Sequence, residues 1–180
     1  MTPGWKPISI TTYADFNDLF PLLKDGNMIA NGVSHIAICV KDLEESLKFY
    51  RDILGLTARL HTTQNMARRP GAESPEMYQE ARKFRTVANV YFEDDSEPFL
   101  VLTSHPEEQI SGDPIKLDQI GISHLSFDVD DVKALAQEIQ SKGVLLAGKM
   151  EDFTDGEGNI RTFFVYDPDG ILVQFDQSRS

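Results

Sequence analysis

The chain has 180 residues, a 41% hydrophobic fraction, a single cysteine and a formal net charge of −12. That length suits one well-buried core or two small modules packed as one domain. The acidity argues against nucleic acid and against docking on anionic lipid, because both need cationic neutralisation of phosphates. It points to a small-molecule partner, with a cationic ligand gaining from the overall field. No apolar run approaches a membrane span. No charged-then-apolar leader with a small-residue cleavage site is present, and Cys39 has no partner for a disulfide. A cytoplasmic protein is therefore expected.

Residues 1–30 read as an N-terminal extension. Tyr13, Phe16, Leu19, Phe20 and Leu23 fall at helical spacing, and Lys24-Asp25-Gly26 is a helix stop. This apolar stripe is expected to help bury a homodimer interface. A first module follows over 31–107. Along Val33 to Val40, His35, Ala37 and Cys39 share one strand face and Ile36, Ile38 and Val40 the other. The bulky face is expected under a helix, and the small face is expected to line a concavity. Asp42 with Glu45 reads as a capping box, Leu43, Leu47, Tyr50 and Leu54 as the buried stripe, and Gly55 as the stop.

A strand is predicted over Leu56 to Thr63. The polar stretch 64–83 contains Arg68-Arg69-Pro70-Gly71, an expected lid or exposed loop, and a short helix from Ser74. Strands then fall near Arg85 to Phe92 and Phe99 to Ser104. Residues 108–120 form a linker. The second module, 121–180, repeats the order. It has a strand over Ile122 to Val129, a helix over Asp131 to Lys142, and strands near Val144 to Lys149, Arg161 to Tyr166 and Ile171 to Asp176. The Asp167-Pro168-Asp169-Gly170 segment is a turn signal. The predicted class is α+β, with two βαβββ modules.

The order is reinforced by a repeated phrase. Val33-Ser34-His35-Ile36-Ala37-Ile38 returns as Ile122-Ser123-His124-Leu125-Ser126-Phe127. A pseudo-twofold relation would bring His35 and His124 to equivalent places, and two converging imidazoles are the start of a metal site.

These phrases, together with Asp42-Leu43, Phe49-Tyr50, Leu54-Gly55-Leu56, Val129-Asp130-Asp131, Tyr166-Asp167-Pro168-Asp169-Gly170 and Val173-Gln174-Phe175, resemble the vicinal oxygen chelate superfamily. That family includes glyoxalase I, methylmalonyl-CoA epimerase, extradiol dioxygenases and bleomycin-resistance proteins. The pattern is most similar to the epimerase-like members. The resemblance covers 31–177 as one domain. It implies a glyoxalase-like cup with a divalent metal (Fe, Zn, Mn, Ni or Co) held by His35, His124 and Gln174.

The fourth family position falls on Val101, which cannot bind metal, and Gln174 stands where a glutamate is usual. Glu93, Asp152 and Asp155 are the candidate acids to complete the shell. The implied activity is that of a metal-dependent isomerase or lyase. It would act on a small oxygenated substrate through an oxyanion or enolate, with His61 or Tyr166 moving the proton. An extradiol-type iron(II) dioxygenase and a non-catalytic binder of the bleomycin-resistance type are the alternatives. His105 is expected at the surface or rim. Tyr91 and Arg161 are expected on cup strands.

Overall fold

The computed structural model describes residues 30, 32–68, 77–93 and 96–178. The chain divides into two units, Met1–Val33 and Ser34–Ser180, and the second holds every described strand and helix. The expected N-terminal helix and the helix from Ser74 lie outside the described residues.

The first strand, β1 (His35–Cys39), follows its period-two pattern: Ile38 is buried, while His35, Ala37 and Cys39 lie on the open face. Asp42 caps the next helix, accepting the backbone N–H of Glu44 at 2.9 Å and of Glu45 at 3.1 Å. The reciprocal half of the capping box does not form, because Glu45 takes Lys48 Nζ at 2.6 Å instead. Helix α1 (Leu43–Leu47) runs on into a π-helical segment, Lys48–Ile53. The wider turn sets Phe49 and Tyr50 side by side, both buried and edge-on at 5.0 Å. Gly55, at φ 80°, ends the helix as expected.

Four further strands complete the sheet: β2 (Thr57–Leu60), β3 (Gln64–Asn65), β4 (Phe84–Tyr91) and β5 (Phe99–Ser104). The order is β1-β5-β4-β2, with β1 parallel to β5 and β3 paired to the start of β4. The β2 strand stops short of its predicted end at Thr63. Leu60 is its last residue, and His61 N–H reaches Val87 C=O at 2.8 Å.

The second module begins with β6 (His124–Val129) and helix α2 (Val132–Ser141), which Asp131 caps through Ala134 N–H at 2.9 Å. β7 (Thr162–Tyr166) and β8 (Leu172–Gln177) follow, in the order β6-β8-β7. The strand predicted over Val144 to Lys149 reduces to a single bridge, Leu146 to Val165. Its residues leave the sheet because Asp152 accepts Lys149 N–H at 2.9 Å, starting a 3-10 turn over Met150–Phe153.

Both modules feed one apolar core. Leu47, Tyr50, Leu100 and Leu102 of the first pack in the same cluster as Val132, Ile139, Phe163 and Val173 of the second. Polar ties also join the modules, among them two from the Asp167–Gly170 turn. Tyr50 donates its hydroxyl proton to Asp167 Oδ2 at 3.0 Å, and Lys41 N–H donates to Asp169 Oδ2 at 3.1 Å. The class is α+β, as predicted. Among the described residues no helix is long and apolar enough to cross a membrane.

Candidate active site

The register fixes which side chains share a face. Because β1 pairs with β5 as His35 to Phe99, Ala37 to Val101 and Cys39 to Thr103, these six residues lie on the side away from α1. All of them but Phe99 line one wall of a cavity of about 510 Å³. Its other walls come from Tyr78, Arg82, Arg85 and His105. His35 stacks on Phe99, with ring centroids 5.6 Å apart. Its Nδ1 lies 3.0 Å from Ser34 Oγ. That bond orients the ring and occupies one nitrogen, leaving Nε2 as the atom able to accept or release a proton.

The repeated phrase has repeated geometry. His124 Nδ1 lies 2.9 Å from Ser123 Oγ. Its ring sits edge-on to Phe164 at 5.8 Å. His124, however, lines a second and smaller cavity of about 240 Å³, where β1 and the start of β6 face one another. The two histidines thus open on neighbouring but distinct cavities, whose linings share Ala37, Ile38 and Cys39.

On β8, Gln174 pairs with Ser126 of β6, so it lies on the same face as His124. Its amide nitrogen donates to Thr162 Oγ1 at 3.0 Å and to Asp176 Oδ1 at 2.9 Å. Ser126 donates to Asp176 Oδ2 at 2.6 Å. Burial alone would raise the Asp176 carboxyl. Hydrogen bonds from Ser126, Thr162 and Gln174, with the charge of His124, outweigh it and hold the group below its ordinary range. Asp176 is not among the acids that the sequence pattern singles out, although the period-two rule from Gln174 places it on the same face. Of those acids, Glu93 is exposed, and Asp152 and Asp155 are taken up by local turns. Asp155 accepts N–H from Glu157 at 2.9 Å and Asn159 at 2.8 Å.

The remaining sequence candidates scatter. His61 is exposed, one residue past the end of β2. Tyr166 pairs with Leu172 on the His124 side and is half exposed. Neither lines the cavity that His35 opens on. His105 was expected at the surface or rim. It is buried rather than at the surface, with Nδ1 2.8 Å from Phe84 C=O, and it forms part of the cavity wall. Tyr91 is buried on β4 and stacks near Phe99 at 4.8 Å. Arg161 lies beside Asp128 and Asp176 at the far end of the second sheet. Arg68 closes a short 3-10 turn, Met66–Arg68, and Arg69 lies outside the described residues.

A divalent metal would need donors that this set lacks. Val101 is buried and apolar at the position where a fourth ligand is expected. Gln174 offers a neutral amide, and the histidines open on different cavities. Among the described residues no three His, Cys, Asp or Glu side chains group to hold a metal. The residues present therefore do not fit a metal centre within one chain, and hard divalent cations favour carboxylate oxygen over amide. Val101→Glu combined with Gln174→Glu should restore the missing charge and raise zinc affinity at least ~10-fold by calorimetry. Wild-type protein should bind its small-molecule ligands equally before and after chelator. Loss of ligand binding on chelation would reverse this conclusion.

A model of the Glyoxalase/Bleomycin resistance protein/Dioxygenase superfamily matches residues 32–175. The chain is 32% identical over 148 residues to the protein YaeR of Escherichia coli K12, covering 79% of this chain and 92% of that one. It is 29% identical over 146 residues to a Synechocystis protein named as a probable lactoylglutathione lyase, covering 81% and 95%. Among solved structures, a glyoxalase family protein from Bacillus cereus superposes with a TM-score of 0.62 at 16% identity, covering 86% of this chain and 100% of that one. The Leishmania major glyoxalase I superposes with a TM-score of 0.54 at 23% identity, covering 82% and 87%.

Proposed function

The chain belongs to the glyoxalase/bleomycin resistance protein/dioxygenase superfamily, and from that premise we propose an isomerase or lyase that moves a proton beside a carbonyl of a small oxygenated substrate. The observation that carries the reading is a tethered imidazole on an open cavity: His35, held at Nδ1 by Ser34, opens on a space of about 510 Å³. Cavities of this order suit small molecules. With Nδ1–H donated to Ser34 Oγ, the lone pair on Nε2 takes a proton from substrate carbon. The electron pair left behind moves onto the carbonyl oxygen. The cationic side of the cavity stabilises the resulting enolate. The imidazolium then returns the proton to the same or a neighbouring atom. No step is assigned to a metal. His124 and Gln174 serve the neighbouring face as polar groups. The lyase named in the Synechocystis relative supports the reaction class.

Sequestration without turnover is the second reading. Val101 favours it, since an apolar residue at an expected ligand position suits binding better than Lewis-acid chemistry. Deuterium uptake from D2O into a panel of small 2-oxo acids, followed by NMR, separates the two. Protein-dependent exchange supports the enzyme, whereas binding without exchange of any member supports sequestration.

The proposal includes a homodimer. Leu117, Ile120 and Ile122 stand exposed within six residues, a cluster that a second copy would cover. Sedimentation should give a dimer mass at micromolar concentration, and a monomer there would remove this part.

A further inference from the structure

We propose that the cavity on the first sheet is an anion site in which Arg82 and Arg85 hold the carboxylate of a small organic acid. The site rests on the proton-transfer reading only for the choice of cavity. The overall charge is −12, yet the described residues lining this cavity include two arginines and no aspartate or glutamate. The local field is therefore opposite to that of the whole chain. The expectation of a cationic ligand, drawn from net charge, does not hold at this site.

Arg85 carries the argument furthest. It sits on β4, in register with Gln64 of β3. Its Nε is buried without a hydrogen-bond partner, and no other side-chain nitrogen or oxygen among the described residues is left in that state. A guanidinium N–H shut away from both water and protein acceptors is costly to maintain. Arg85 lines the cavity, and a carboxylate there that turns the guanidinium fork toward itself would satisfy it. Arg82 donates Nη1–H to Gln109 C=O at 3.0 Å, which fixes its stem, and among the described residues no acceptor is seen for its other N–H groups.

Cys39, on the cavity floor, records the same field. Burial leaves its thiol above the ordinary value; of the charges acting on it Arg82 is the strongest and lowers it, Asp169 adds to the rise, and Arg85 opposes that rise.

Planar carboxylates match the fork geometry of guanidinium. Phosphate sites commonly add glycine-loop amides or a helix N-terminus, and among the described residues no glycine lines this cavity. Val101, Ala37 and Ile110 supply an apolar wall for a short carbon chain. The ligand class is thus a small carboxylic acid with a short apolar body.

The chain's single cysteine makes the test direct. Iodoacetate carries a carboxylate one carbon from its electrophilic centre. Cys39 thiolate displaces iodide and forms the S–C bond. Iodoacetamide undergoes the same displacement without the charge. The ratio of the two alkylation rates in full-length protein should exceed the ratio for the same protein in denaturant by at least ~5-fold. Arg85→Gln and Arg82→Gln should each cut that excess by more than half, and Arg85→Lys should keep part of it. Propionate should protect Cys39 from iodoacetate, and inorganic phosphate at the same concentration should not.

A ratio at or below the denatured value overturns the site, as does an Arg85→Lys/Arg82→Gln double variant that behaves as wild type. Equal protection by phosphate overturns the carboxylate assignment. The assay needs no turnover. A high ratio with no deuterium exchange leaves this site standing and removes the proton-transfer reading. A low ratio with exchange intact does the reverse.

Discussion

His35→Gln should lower protein-catalysed deuterium exchange at least ~100-fold, since a positioned general base contributes on the order of 10²–10⁴. Iodoacetate selectivity at Cys39 should stay within about twofold of wild type, because the arginines that set it remain in place. Ser34→Ala should give a smaller loss, as it frees Nδ1 but leaves the base present. His124→Gln is the discriminating control. It has the same Ser–His geometry but opens on the other cavity, so exchange should fall far less. An equal loss in both variants would mean that the two histidines act on one substrate, and the chemistry would move to the junction of β1 and β6.

Tyr50→Phe should destabilise the protein by about 1–3 kcal/mol at neutral pH, because it leaves a buried carboxylate oxygen without its donor. For a chain of this size that corresponds to a fall in Tm of roughly 3–10 °C. The effect should depend on pH. Burial raises the Asp167 carboxyl above its ordinary range, and the hydrogen bonds from Ile171 N–H, Tyr50 and Asp169 N–H only partly offset that rise. A raised carboxyl contributes stability below the unfolded value near 4 and loses it as pH climbs through the folded value.

Removing the Tyr50 hydroxyl takes away one lowering bond, so the folded value climbs further and more stability is lost. The gap between wild type and Tyr50→Phe should therefore widen from about pH 4 to pH 7. Asp167→Asn, which carries no charge, should flatten most of the difference. Urea melts at the two pH values measure it. Equal gaps at both would show that the hydroxyl, and not the buried charge, sets the energetics. Burial, with the Asp167 charge and bond, pushes Tyr50 itself far above its ordinary value, so the phenol stays protonated throughout.

Much of the fold was legible because its signals are local. Alternation along β1 put His35, Ala37 and Cys39 on one face without any tertiary knowledge, and the cavity wall lies where that alternation requires. Asp42 and Asp131 announced the starts of α1 and α2. The predicted strand over Val144 to Lys149 failed for a physical reason. Its apolar residues read as a strand, but the Lys149–Asp152 hydrogen bond offered a competing turn that the pattern did not reveal. The turn signal at Asp167 to Gly170 was legible as a turn. Nothing local showed that its two aspartates would reach Tyr50 and the backbone of Lys41.

By itself the sequence determined the α+β class, the two-module order and the faces of the strands, since periodicity and capping act within a few residues. Only the tertiary structure decided that His35 and His124 open on different cavities. The distance between two repeats depends on how their edge strands meet, and no spacing rule encodes it. Net charge likewise says nothing of a single cavity. Arg82 and Arg85 lie more than forty residues from Cys39 in the chain, yet folding sets them around it while the acidic majority faces elsewhere. The sum of charges is a property of composition. The sign of the field at one site is decided by the few residues that folding brings within a Debye length of it.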